Sequence, residues 1–133
     1  MVRGSCLCGA VAFEMEPPLR PVIACHCTQC RKTSGHYWAT TSVPLEQFRL
    51  VADGGLTWFR SSEGAERGFC SLCGASLFWR PDGEARIAVA AGALDAPTGL
   101  AVAEHIFVAD KGDYYAIADD LPQDPGWGTD AET

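Results

Sequence analysis

The chain has 133 residues, 47% of them apolar, and a formal net charge of −7, which is the size of one domain with enough apolar content for one core. The acidic balance argues against nucleic acid as the main partner, because phosphate binding needs a basic surface. No apolar run reaches membrane-spanning length, and MVRGSCLCGAV at the start has no hydrophobic signal core, so the expected location is the reducing cytoplasm.

In chain order, VAFEME alternates Val11, Phe13 and Met15 with Ala12, Glu14 and Glu16, the pattern of a half-buried strand. PVIAC is a short buried strand that runs into the loop CHCTQCRKTSG. Within that loop TQCRKTSG predicts a short helix, with Thr28 as N-cap and Gly35 just past its end. HYWATTSV is aromatic and β-branched and reads as a strand, and PLEQFRL can hold one helical turn. LTWFRS and ERGFC are strands across the turn SEGA, and ASLFWR with ARIAVAAG makes a hairpin across PDGE. AEHIFVAD is a further strand, followed by KGDYYAI. The tail LPQDPGWGTDAET is rich in Pro, Gly and Asp and is expected to be irregular, with Trp127 able to dock onto the domain. No window carries a long amphipathic helix. The expectation is one all-β domain over residues 1–122, stapled by metal, with an irregular tail over residues 123–133.

The seven cysteines fall into three clusters: Cys6 and Cys8; Cys25, Cys27 and Cys30; Cys70 and Cys73. In a reducing compartment, clustered cysteines read as metal ligands or catalytic groups before disulfides. The two outer pairs sit in glycine-flanked loops beside strands, and together they can close a four-sulfur tetrahedral zinc site, which is saturated and therefore structural. Ordinary buried thiols, two disulfides, and a mixed grouping of Cys25 and Cys30 with Cys70 and Cys73 are the alternatives. With the outer four assigned, Cys25, Cys27 and Cys30 remain. Three protein ligands with a fourth position left open is the pattern of a catalytic zinc site. Such a site accepts a further thiolate and activates it as a nucleophile.

His26 lies between two of these cysteines, so in extended backbone its side chain faces away from theirs. It is either a fourth ligand or a packing residue, and His36 and His105 are more distant candidates for the open position. Arg31 and Lys32 follow Cys30 and can offset the negative charge of the thiolates. Tyr37, Trp38, Phe78 and Trp79 flank the cysteine loops as pocket walls or as core aromatics.

GSCLCGAV, CHCTQCRKTSG and FCSLCGASLFW, in this order, resemble the glutathione-dependent formaldehyde-activating enzyme family, whose domain also occurs in centromere protein V. HIFVADKGDYYAIADDLP is similar to that family's closing segment, with DYY where a tryptophan is common. The resemblance implies a β-tent fold of antiparallel sheets around zinc, two ions per chain; the second, in an open three-thiolate loop, is expected to be the more labile. It implies Cys6, Cys8, Cys70 and Cys73 as structural ligands and Cys25, Cys27 and Cys30 as catalytic ones. It also implies a carbon–sulfur lyase that joins glutathione and formaldehyde as S-hydroxymethylglutathione, or a related thiol and aldehyde. A non-catalytic zinc-binding interaction module and a thiol redox sensor are the alternatives on the same fold.

Overall fold

The computed structural model describes residues 1–128; the last five residues of the expected tail lie outside the described residues. Among the described residues ten strands form two sheets. They are β1 Val2–Ser5, β2 Val11–Met15, β3 Val22–Cys25, β4 Trp38–Pro44, β5 Phe48–Asp53, β6 Leu56–Ser62, β7 Ala65–Cys70, β8 Ser76–Pro81, β9 Arg86–Ala90 and β10 Val102–Ile106. The α-helix α1, Thr28–Ser34, follows β3, and single 3-10 turns lie at Leu45–Gln47, Ala91–Ala93 and Val108–Asp110. The smaller sheet has the order β1-β2-β5, and the larger one β10-β3-β4-β9-β8-β7-β6. Its pairings are antiparallel except that β10 lies parallel to β3. No helix among the described residues is long and apolar enough to cross a membrane.

The all-β expectation matches this architecture, and both expected hairpins form, β6–β7 across Glu63 and Gly64 and β8–β9 across PDGE. β1 and β5 are strands that the sequence reading does not assign. After its one 3-10 turn, PLEQFRL continues as β5 against β2, a pairing that only the partner strand makes visible. The N-cap of α1 is Cys27 rather than Thr28: its Sγ accepts from the Cys30 amide, so the thiol that closes the helix start is itself a member of the cysteine cluster. Gly35 does end the helix, in the left-handed conformation at φ 88°.

Strand alternation gives the larger sheet two unlike faces. Thr41, Val43, Ile87, Val89 and Phe78 share one face, and its apolar members pack with Val11, Phe13 and Met15 of the smaller sheet to make the main core. Phe13, Phe48 and Phe78 meet at ring separations of 5.2 to 5.7 Å. Glu14 was expected on the wet side of β2, yet it is buried. Arg3 on β1 and Arg49 on β5 are its register partners and bracket it with two ion pairs. The opposite face carries Thr40, Ser42, Ala88, Trp79 and Arg67, and the site described next lies over it.

Candidate functional site

Cys6 and Cys8 lie just beyond β1, Cys70 ends β7, and Cys73 lies in the turn before β8. Their four Sγ atoms lie within 4.8 Å of one another. Gly9 and Gly74, each at φ 81°, follow the two pairs and turn the chain back with bonds to the Cys6 and Cys70 carbonyls. Cys6 Sγ is 3.6 Å from Cys8 Sγ, and Cys8 Sγ is 3.8 Å from Cys70 Sγ. A zinc–sulfur bond of about 2.3 Å in a tetrahedron separates sulfurs by about 3.8 Å, so the donor set fits a four-thiolate metal ion. Backbone hydrogen bonds at Cys8 and Ala75 pull the Cys73 thiol down to about 6, which favours the thiolate form a metal requires. Cys6 and Cys70 belong to the main core, so this cluster ties the two sheets together at its edge.

The second cluster is separate, and the mixed grouping of the two does not form. Cys25 ends β3, Cys27 caps α1 and Cys30 lies in the first turn, with all three sulfurs within 4.8 Å of one another. No histidine joins them. Shared protons from Cys25 and Cys30 hold the Cys27 thiol far below its ordinary range despite burial, and the Cys30 amide and Arg67 add to that; Cys25 is pushed up in return. Arg67 of β7 places Nη2 3.5 Å from Cys30 Sγ and lays its guanidinium 5.3 Å over the Trp38 ring. This buried cation takes the place expected for Arg31 and Lys32; neither lines the pocket beside the thiols, and Lys32 is solvent-exposed.

The three thiols open into a pocket of about 380 Å³ over the second face of the larger sheet, a volume in the range of small-molecule sites. Thr40, Ser42 and Ala88 are small and leave a trough along the strands, while Trp38, Trp79 and Trp127 are among its walls. Trp127 docks as expected, 4.9 Å from the Phe107 ring and 6.2 Å from Trp79. Of the four aromatics singled out in the sequence, Trp38 and Trp79 line the pocket, Phe78 is core, and Tyr37 packs at a tilt against His26. Arg20 and Arg86 stand further along the trough. Arg20 bonds to the carbonyl and hydroxyl of Thr40, and Arg86 to Ser42 Oγ at 3.1 Å. The Nε atoms of Arg67 and Arg86 are buried with no hydrogen-bond partner among the described residues. In a chain of net charge −7, three arginines and three thiols thus share one cavity.

The family model for the glutathione-dependent formaldehyde-activating enzyme matches residues 1–110. The chain belongs to that family. A Halomonas elongata protein provisionally named as a glutathione-dependent formaldehyde-activating enzyme is 37% identical over 92 residues, covering 59% of this chain and 55% of the relative. The chain thus spans about half the length of that curated relative. A Rhodobacter sphaeroides protein of known crystal structure has the same fold, with a TM-score of 0.61 at 23% identity over 91% of this chain and 98% of the other.

Some members of this family member's site were invisible in its sequence. Arg67, Arg86 and Arg20 come from three separate strands or loops, and nothing near them in sequence marks them. The histidines have partners other than a metal. His26 is buried on the side away from the sulfurs, with Nδ1 bonded to the Tyr115 hydroxyl and Nε2 2.9 Å from His105 Nδ1. Burial, and then the nearby His105, His36 and Lys111, push His26 down to about 4, so it is neutral at pH 7. His105 Nε2 in turn lies 2.9 Å from an Asp119 carboxylate oxygen. His36 bonds to the Tyr114 hydroxyl at 2.6 Å.

Proposed function

We propose that this chain is a zinc-dependent carbon–sulfur lyase that joins a thiol, glutathione or a close relative, to formaldehyde, and runs the reverse cleavage. What supports the reading most is one observation: three clustered thiols at the floor of a 380 Å³ pocket, with a buried arginine against one of them. Cys6, Cys8, Cys70 and Cys73 would hold the structural zinc, and Cys25, Cys27 and Cys30 a second, more labile one. Zinc at the second site would leave one position for an outside thiol and lower that thiol's pKa.

The residues of the chain do the rest. Arg67 offsets the negative charge that collects on the sulfurs, and Trp38 shields that pair from water. Arg86 and Arg20 offer guanidinium groups to the carboxylates of the thiol's tail. Arg86 is anchored on Ser42, four residues along β4 from Trp38, which is roughly 13 Å at the usual strand rise. A thiol whose sulfur lies at the cysteines would run its tail along this trough toward the arginines. The sulfur attacks the aldehyde carbon, a carbon–sulfur bond forms, and the carbonyl electron pair moves to oxygen, which takes up the proton that the thiol gave away. Reverse flow of the same electrons releases thiol and aldehyde. The unit that carries this activity is residues 1–122, with the tail of 123–133 supplying Trp127 as a wall. A cytoplasmic setting fits all seven cysteines being free.

Protein purified under reducing conditions should carry close to two zinc ions, and hemithioacetal exchange between glutathione and formaldehyde should speed up when it is added, as read by NMR. Arg86→Ala should raise KM for glutathione about tenfold or more and leave that for 2-mercaptoethanol unchanged. If millimolar glutathione perturbs neither the spectrum of the protein nor the exchange rate, the proposed reaction is wrong.

A further inference from the structure

The back of the three-cysteine loop is held by a polar chain that the proposed reaction does not use. Four side chains lie in series: Tyr115, His26, His105 and Asp119. His26 and His105 are 1% and 5% exposed, so each ring nitrogen must find its partner inside the protein. One position of hydrogen follows from the partners. Asp119 carboxylate only accepts, so His105 Nε2 carries the hydrogen. His105 Nδ1 meets His26 Nε2 at 2.9 Å, and His26 Nδ1 meets the Tyr115 hydroxyl, so the four side chains form one continuous hydrogen-bonded series ending at Asp119.

Both ends of this chain lie on the segment after β10, which crosses behind the loop. Lys111 fastens the segment, donating to the Gly112 and Tyr115 carbonyls and resting 4.6 Å over the Tyr115 ring. Leu121 donates its amide to Asp119 at 3.1 Å, and His105 is tied through its backbone to Pro122 and Asp124. On the loop side, the His26 amide bonds to the Ile106 carbonyl at 3.0 Å. His26 is thus pinned by main chain and by both ring nitrogens. Because side chains alternate along extended backbone, pinning His26 inward turns Cys25 and Cys27 outward, toward the pocket. Tyr115 and Asp119 both lie beyond residues 1–110 of the family match.

We propose that Tyr115, His26, His105 and Asp119 are positioning residues that pre-set the three-cysteine site, so that its metal affinity is controlled from the segment behind it. This rests on the metal binding proposed above. Removing groups that orient metal ligands typically changes affinity by about 10–100-fold, and here the series acts through His26, which lies between two of the three ligands in the chain.

The test is cobalt(II) titration of the full chain, stripped of metal under anaerobic reducing conditions, against a competing chelator. Sulfur-to-cobalt absorption reports the ligands, and Cys27→Ser identifies which binding step is the three-cysteine site. Tyr115→Phe and Asp119→Ala should each weaken that step by about 10–100-fold and leave the four-cysteine step unchanged. Asp119→Asn, which keeps an acceptor oxygen, should recover most of the loss. Asp119 is half exposed on a loop, so its variants test the idea even where Tyr115→Phe folds poorly. Unchanged affinity at the three-cysteine step in both variants would overturn the proposal, as would equal weakening of both steps. A wild-type chain that takes up only one cobalt would instead overturn the metal reading itself, and this proposal with it.

Discussion

Replacing Arg67 with methionine isolates the electrostatic part of the pocket. The guanidinium sits 3.5 Å from Cys30 Sγ and is nearly buried. Unit charges at that separation attract by about 5 kcal/mol at an effective dielectric of 20. Deleting one partner of a charge-assisted hydrogen bond typically costs less, about 1.5–3 kcal/mol, because the anion is shared among neighbours and relaxes. The working expectation is about 2–3 kcal/mol, or a loss of roughly 30–150-fold in affinity for metal and for an incoming thiolate. Methionine keeps most of the apolar contact with Trp38. It also removes a charge that is costly to bury, so the melting temperature should stay level or rise. Arg67→Lys should fall between, since lysine restores the charge but not the planar fork that reaches both Cys30 and Thr33. The assay is chelator competition for the weaker metal, followed by glutathione titration of the reloaded protein. Affinities within twofold of wild type for Arg67→Met would refute the charge-compensation argument outright.

Two further perturbations separate the cysteine clusters. Cys70→Ser should destabilise the whole fold, because Cys70 is fully buried in the main core, whereas Cys27→Ser should lose the second metal with little change in melting temperature; equal melting curves by circular dichroism would contradict the division. Gly55→Ala puts a methyl 2.7 Å from Cys70 Sγ, nearly 1 Å inside normal contact. The methyl must push the Cys70 sulfur or the backbone aside, so this variant should lose four-cysteine affinity by roughly tenfold in the same cobalt titration, and an unchanged value would count against a metal there.

Sequence alone carried most of the local structure. Alternation in VAFEME, turn residues at PDGE and glycines after each cysteine pair are short-range instructions, and the strands and hairpins they imply are the ones that form. β1 and β5 were less legible because their reason for being strands is β2 between them, and Glu14 was misjudged because its two arginine partners lie 11 and 35 residues away. The order of the cysteine clusters was enough to resemble a family, and counting seven thiols was enough to expect a group of four and a group of three.

What only the tertiary structure decided is which charges and rings surround those thiols. Adjacent Arg31 and Lys32 looked like the compensating cations, yet a helix of seven residues points its side chains all around, and Arg67 on a strand that faces the loop reaches Cys30 instead. Alternation along the chain already turned His26 away from the sulfurs; what the sequence could not show is that His105 and Tyr115, 79 and 89 residues further on, hold it there. Ligand spacing is local chemistry and can be read along the chain. Solvation, charge balance and orientation at the same site are set by neighbours in space, which the chain brings together only when the sheets close.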